Sequence, residues 1–187
     1  MLQKLKNRKE SGFTIIEVMI VLAIAALILL IVFLAVPALQ RSARNTQRKN
    51  DVSALASAIA NFIDNNAGTL PQGAGPDASN ANEVDICSLS SCGSSTSSST
   101  NTFTTAKLGY YKPTNVFITS SGTAPTLSPS STTPSVTAIT TEDIVIMTGY
   151  ACNSTNTGLG NATSRSAAIL YVLESGSGNG TLQCQEQ

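Results

Sequence analysis

Glu17 is an acidic residue inside an otherwise apolar stretch. The stretch begins at Phe13, and no charged residue occurs between Val18 and Leu39. A charged side chain at the centre of a lipid bilayer costs at least ~2.5–3.5 kcal/mol, less near the membrane edge, and acids within membranes usually have a partner. The position of Glu17 therefore predicts a partner that binds its carboxylate.

The cysteines are the second set of residues whose chemistry matters. The chain contains no His, which excludes zinc sites that mix Cys and His, and no CxxC pair is present. Four thiolates could still bind zinc, but disulfides are the simpler explanation if the domain is exported. Of the three possible pairings, we favour one short loop and one bridge from the C-terminus to an earlier strand: Cys87–Cys92 and Cys152–Cys184.

No catalytic set is visible in the sequence, so we predict that the chain is not an enzyme. Asp77, Glu83 and Asp85 could bind calcium, but their spacing fits no standard calcium loop. We interpret them as solvated acids and predict neither a metal nor a cofactor. Most basic residues lie in the first 49 positions, and the chain after them contains more acidic than basic residues. This argues against a general nucleic-acid binder, because phosphate affinity is built from many Lys and Arg contacts.

The apolar stretch is long enough to cross a membrane, since about 20 apolar residues span ~30 Å of hydrocarbon. It does not fit a secretory signal peptide, whose apolar region is only ~7–15 residues and precedes a small-residue cleavage site. Here the small residue, Gly12, comes before the apolar residues. Basic residues are equally frequent on the two sides of the stretch, so the positive-inside rule gives no orientation.

The stretch continues into an amphipathic helix. Val52, Leu55, Ile59 and Phe62 recur at helical spacing. Asn and Gly residues followed by a proline then predict the end of one helix from Phe13 to about Asn66. Pro37 removes a backbone donor inside this helix, which predicts a kink or a tolerated membrane proline.

A basic stripe follows the apolar stretch, formed by Arg41, Arg44, Arg48 and Lys49. It could contact DNA or phospholipid headgroups. We favour a structural role in which it caps the membrane end and pairs with acids such as Asp51 or with acids of a neighbouring subunit.

The remainder of the chain predicts a small antiparallel sheet packed on the amphipathic half of the helix. The expected strands are Leu108–Lys112, Asn115–Thr119, Ile144–Tyr150, Ala168–Leu173 and a short one at Thr181–Cys184. Loops are expected from Pro71 to Asp85, in the polar run from Ser94 to Thr105, and from Ser120 to Thr141. The fold class is therefore α+β, with the long helix and small sheet of a lollipop.

The N-terminal residues closely resemble the class III signal of type IV pilins and pseudopilins. The resemblance rests on a basic leader, the Gly12-Phe13 pair, Glu17 at the fifth place and the apolar run. It implies that a prepilin peptidase cuts after Gly12 on the cytoplasmic side and methylates Phe13, and that Glu17 is the assembly acid. In a filament, Glu17 of one subunit would neutralise the Phe13 amine of another.

This resemblance also implies an organisation and a function. The expected parts are a leader (1–12), a transmembrane and assembly helix (13–39), an amphipathic half (40–67) and a globular domain (68–187). The expected function is a structural subunit of a type IV pilus, serving adhesion, twitching motility or DNA uptake. The alternatives are a pseudopilin of a type II secretion or competence system, or a minor tip pilin that acts as a binding module.

The expected partners follow from that function. They are other copies of the chain in a helical filament, the prepilin peptidase, the inner-membrane assembly machinery, the membrane before assembly, and a host surface or DNA. The expected location is the cytoplasmic membrane, by a single span, and then the extracellular filament.

Overall fold

The computed structural model describes residues 12–77, 80–88, 92, 103–120, 139–176 and 180–187. Of the predicted leader, only Gly12 lies within these ranges. The greater parts of the two predicted polar loops, 94–105 and 120–141, lie outside them.

One long helix, α1 (Ile15–Asn65), opens the fold and nearly coincides with the predicted helix. It ends where the backbone turns left-handed at Ala67 and Gly68, with φ of 51° and 83°. The Gly68 amide donates to the Ile63 carbonyl at 2.9 Å, which satisfies a carbonyl of the last turn. Glycine suits this position because it adopts positive φ without steric cost.

The chain divides into two compact parts, residues 1–40 and 41–187. In the first part, the described residues of α1 expose their large apolar side chains to the surroundings. In the second part, α1 buries one face, which follows the predicted amphipathic spacing. Its buried residues are Arg48, Asp51, Val52, Leu55, Ala56, Ala58, Ile59 and Phe62.

Two β-sheets pack with the second half of α1. Their strands are β1 (Gly73–Pro76), β2 (Glu83–Cys87), β3 (Phe103–Lys107), β4 (Val116–Ser120), β5 (Ile144–Cys152), β6 (Leu159–Leu173) and β7 (Thr181–Glu186). The first sheet has the order β1-β2-β3 and the second the order β4-β5-β6-β7. The predicted α+β class is confirmed, with two sheets in place of a single small one.

The prediction of a wholly antiparallel sheet was wrong at one pair. Strands β4 and β5 run parallel, with Val116 opposite Ile144, whereas all other pairs are antiparallel. A parallel pair needs a connection of about a dozen residues or more. The chain between Ser120 and Ile144 is long enough to provide one.

Three local predictions were also wrong. The loop predicted up to Asp85 contains β1 and the start of β2, and the predicted polar run overlaps the start of β3. The strand predicted at Leu108–Lys112 is a bend instead. Asp51 on α1 accepts hydrogen bonds from the backbone N–H groups of residues 109, 110 and 111, which takes these donors away from a strand ladder.

The main core lies between the buried face of α1 and both sheets. It joins Ile59 and Phe62 of α1 to Ile86 of β2, Ile146 of β5 and Ile169 of β6. A smaller apolar cluster uses the alternate residues of β5, β6 and β7 and includes Met147, Ala168, Leu170 and Cys184. The second sheet is therefore apolar on both faces, because neighbouring strand residues point to opposite sides.

Candidate functional site

Thr14 and Glu17 form a hydrogen-bonded cap at the start of α1. Both the backbone N–H and the hydroxyl of Thr14 donate to Oε2 of Glu17, each at 2.8 Å. The Thr14 hydroxyl also lies 3.4 Å from the Glu17 amide. A Thr followed by a Glu three residues later is a capping box, which satisfies orphan N–H groups of the first turn. The spacing of this pair is visible in the sequence, but the capping box was not predicted from it.

The cap uses one oxygen of Glu17 and leaves the other available. Both donors from Thr14 reach Oε2, and no hydrogen bond to Oε1 is present among the described residues. Glu17 is exposed. Its carboxylate can therefore accept a further donor on Oε1.

Gly12 and Phe13 precede the cap and are also exposed. The Phe13 side chain is 89% exposed, and a side-chain carbon added at Gly12 would contact nothing within 4 Å. The structure thus brings Gly12, Phe13 and Glu17 to one end of α1, where a processing enzyme or another chain could reach them.

In the first compact part, α1 carries apolar side chains on all sides after the cap. Leu22, Leu29 and Leu34 are more than half exposed, and so are most of their large apolar neighbours. The helix is long and apolar enough to cross a membrane, as judged by its length and composition. Such a surface needs lipid or other apolar helices around it. Pro37 lies within this helix, and α1 continues across it; the predicted kink stays a prediction.

The basic stripe belongs to the second compact part, where two of its members bind Glu174. Arg44 contacts Oε2 of Glu174 at 2.6 Å, and Arg48 contacts Oε1 at 2.7 Å. Asn45 pairs with the backbone of Glu174 in both directions, at 3.0 and 2.9 Å. Hydrogen bonds from Arg44, followed by those from Arg48, lower the pKa of Glu174 to about 2, although partial burial opposes the shift.

Arg48 is completely buried, and its guanidinium has several partners. It donates to the Tyr110 hydroxyl and to Asn45 Oδ1, and it lies 4.4 Å from the centre of the Tyr110 ring. Asp51, which we expected to pair with the basic stripe, binds backbone amides instead. That expectation was wrong, because the acid that pairs with Arg44 and Arg48 is Glu174. The sequence did not identify Glu174 as their partner.

The cysteines form two disulfides, Cys87–Cys92 and Cys152–Cys184. These are the two pairs that we favoured from the sequence. Among the described residues, no group of three or more His, Cys, Asp or Glu side chains could hold a metal ion. The acids Asp77, Glu83 and Asp85 lie on or next to strands β1 and β2.

The comparisons with known proteins agree with the N-terminal geometry. Residues 7–33 match the prokaryotic N-terminal methylation motif, which is the class III signal peptide of type IV pilins. The match covers the N-terminal segment alone, and this motif is the one that type IV pilins and pseudopilins carry there. The motif points to a structural protein and not to an enzyme. No curated protein and no solved structure matches the chain.

Proposed function

We propose that the chain is the structural subunit of a type IV pilus, cleaved after Gly12 and polymerised through α1. The observation that carries this proposal is the methylation motif, which includes Glu17 at the start of an exposed apolar helix; among the described residues, Oε1 of Glu17 accepts no hydrogen bond. Cleavage would create an amine at Phe13, close to where Glu17 needs a partner. A prepilin peptidase would make the cut and methylate Phe13.

The ion pair would form between subunits. When apolar helices pack together, they exclude water, and a carboxylate without a cation is strongly unfavourable in such surroundings. The Phe13 amine of one subunit would meet Glu17 of another and thereby select one register of assembly. Thr14 would satisfy the carboxylate while the subunit is still held by the membrane.

The filament would act outside the cell after assembly by an inner-membrane machine. Its work would be adhesion, twitching motility or DNA uptake. Before assembly, the subunit would stay in the cytoplasmic membrane through residues 13–39. Electron microscopy of sheared surface material tests this role, because a pseudopilin would give no long surface filaments and a tip pilin would be a rare component of them.

Substitutions at Glu17 and Thr14 distinguish the effect of the carboxylate charge from the effect of the capping hydrogen bonds. Glu17→Ala should leave membrane insertion intact and abolish filaments. Glu17→Gln keeps a hydrogen-bond acceptor that the capping box tolerates but removes the charge, so it should also abolish filaments. Thr14→Ala keeps the charge and loses the cap, so filaments should persist in reduced amount.

Filament yield per cell, measured against membrane-bound subunit, decides between these outcomes. Normal filaments from Glu17→Gln would show that the charge is not needed. Loss of filaments in Thr14→Ala with normal filaments in Glu17→Gln would assign the role to the cap.

A further inference from the structure

The hairpin loop between β5 and β6 carries a sequence that matches the acceptor for N-linked sugar. Asn153, Ser154 and Thr155 fit the pattern Asn-X-Thr, which is glycosylated on surface loops of exported proteins. The same pattern begins at Asn161 and at Asn179. Asn161 lies within strand β6, and Asn179 lies outside the described residues. The Asn153 site is therefore the one whose loop the structure describes.

Backbone hydrogen bonds hold this loop in one conformation. The Asn153 amide donates to the Gly158 carbonyl at 2.9 Å, and the Asn156 amide donates to the Asn153 carbonyl at 3.0 Å. Asn156 has a left-handed backbone, with φ of 54°, and its carbonyl accepts the Cys184 amide at 2.8 Å. The loop is thus fixed to β7 beside the Cys152–Cys184 disulfide, while its tip is exposed to solvent.

The Asn153 side chain is held through its oxygen and hardly through its nitrogen. Oδ1 accepts the Thr157 amide at 3.0 Å and the Thr155 hydroxyl at 3.1 Å. Because a backbone N–H can meet only an acceptor, the Thr157 contact determines which atom of the side-chain amide is the oxygen. Among the described residues, Nδ2 has a single long contact, 3.5 Å from the Thr157 hydroxyl. One of the two hydrogens on Nδ2 is therefore available for replacement.

The Thr155 hydroxyl contacts the amide that would be modified. It donates to Oδ1 of Asn153 and lies 2.7 Å from the Thr157 hydroxyl, which can donate to it in turn. A sugar on Nδ2 would leave both donors to Oδ1 in place. The modification would therefore cost the loop neither of the two shorter hydrogen bonds of Asn153.

We propose that Asn153 is a glycosylation site, modified on Nδ2 by a transferase that uses a sugar diphosphate as donor. The bond between the anomeric carbon and the diphosphate oxygen breaks, and the diphosphate leaves with the electron pair. The anomeric carbon forms a new bond to Nδ2, and the displaced Nδ2 proton passes to a base of the transferase. Thr155 is a positioning residue, since its hydroxyl holds the amide by Oδ1.

This proposal rests on the export of residues 41–187, which the proposed function includes. The two disulfides favour export, because such bonds form and persist in oxidising compartments. Filament formation is not required, so the sugar can be sought on the subunit that is still in the membrane. Absence of filaments and absence of sugar are therefore separate results.

The test is the mass of the whole chain, purified from the membranes of the cells that produce it naturally. Digestion followed by electron-transfer fragmentation assigns a sugar to one residue. The peptide that contains Asn153 should be heavier by the mass of one or more sugar units, attached to Asn153 itself. An unmodified peptide, or a sugar carried by the hydroxyl of Ser154 or Thr155, would overturn the proposal.

Variants of the loop test the positioning role of Thr155. Thr155→Ala keeps Asn153 but removes the hydroxyl, so the sugar should be lost, whereas Thr155→Ser should keep it. Ser154→Ala is the matched control, because the pattern accepts any residue except proline at its middle position. Retention of the sugar in Thr155→Ala, or its loss in Ser154→Ala, would contradict the assignment.

Asn153→Gln moves the amide out of position and should also lose the sugar. In every variant, the Cys152–Cys184 bond reports whether the loop has folded, and alkylation of free thiols detects its absence. A missing sugar in a chain that has this bond reports on the modification and not on misfolding. If Asn153→Gln fails to form the bond, the comparison of Thr155→Ser with Thr155→Ala still decides, since these variants differ only by the hydroxyl.

Discussion

Two glutamates in this molecule have opposite surroundings. The carboxylate of Glu174 binds two arginines, so its charge is compensated within the chain. Glu17 has only the uncharged donors of Thr14 and keeps one oxygen without a partner among the described residues. The first arrangement stabilises a fold, whereas the second leaves an exposed charge, which our proposal assigns to contact with another subunit.

Glu174→Gln should destabilise the C-terminal part at neutral pH. The pKa of Glu174 is lowered to about 2 in the folded chain, so its contribution is present above the unfolded value of about 4.3 and disappears as the pH falls through about 2. Charged hydrogen bonds of this kind contribute about 1–3 kcal/mol. Chemical unfolding of the wild type and the variant at several pH values measures the difference.

Glu142→Gln is the control for this prediction, since Glu142 is exposed and forms no ion pair among the described residues. It should unfold like the wild type. A Glu174→Gln variant that is as stable as Glu142→Gln at pH 7, or a difference that grows towards acidic pH, would show that the ion pairs do not stabilise the fold.

The sequence revealed one of these glutamates and not the other. Glu17 was evident because its apolar neighbours and Gly12 lie within a few positions of it. Glu174 lies 130 positions from Arg44, and no local pattern predicts which distant acid meets a given arginine. Asp51 was misjudged for a related reason: its carboxylate satisfies a bend that the sequence suggested was a strand.

At the scale of elements, the second half of α1 contributes its buried face to the main apolar core. Ile59 has no exposed surface and contacts the main apolar cluster. Removal of a buried aliphatic side chain leaves a cavity, so Ile59→Ala should cost about 2–5 kcal/mol of unfolding free energy.

Ser57→Ala is the matched change on the exposed face of the same helix. Within the part of the chain that the structure describes, Ser57 donates to the Ser53 carbonyl alone, one turn earlier, so the alanine should be neutral or slightly stabilising. Denaturant unfolding of both variants tests the assignment, and equal stability of the two would contradict the packing described for α1.

The helix and strands with a strong apolar pattern were predicted from the sequence, whereas strands without such a pattern were missed. The apolar run and the repeat that includes Val52 and Leu55 located α1, and the apolar strand Ile144–Cys152 was recognised nearly to its ends. Strand β1 has the sequence GAGP, in which the usual strand residues are absent. Gly75 permits the close approach of the Cys92 backbone, a contact that becomes visible only in three dimensions.

At the scale of the whole molecule, the two compact parts have different chemistry. The described residues of the first part present an apolar helix without a core of its own, whereas residues 41–187 enclose two apolar clusters. The second part can therefore fold by its own packing. The first part needs lipid or other helices to cover it, as expected for a subunit that leaves a membrane for a filament.

The two disulfides should contribute unequally to the stability of the second part. Cys152 and Cys184 are 32 positions apart, and Cys87 and Cys92 only 5. Loop-closure entropy predicts about 3–4 kcal/mol for the longer bridge and about 2 kcal/mol for the shorter one. Paired serine variants, unfolded under the same conditions, measure both contributions, and a larger loss from the shorter loop would contradict this order.

The central claim concerns the new N-terminus at Phe13, and mass spectrometry of sheared surface filaments tests it most directly. We predict that the subunit is abundant, begins at Phe13 and carries a methyl group on its amine. A Gly12→Val chain should keep its leader and stay in the membrane. Filaments built from subunits that retain residues 1–12 would contradict the claim.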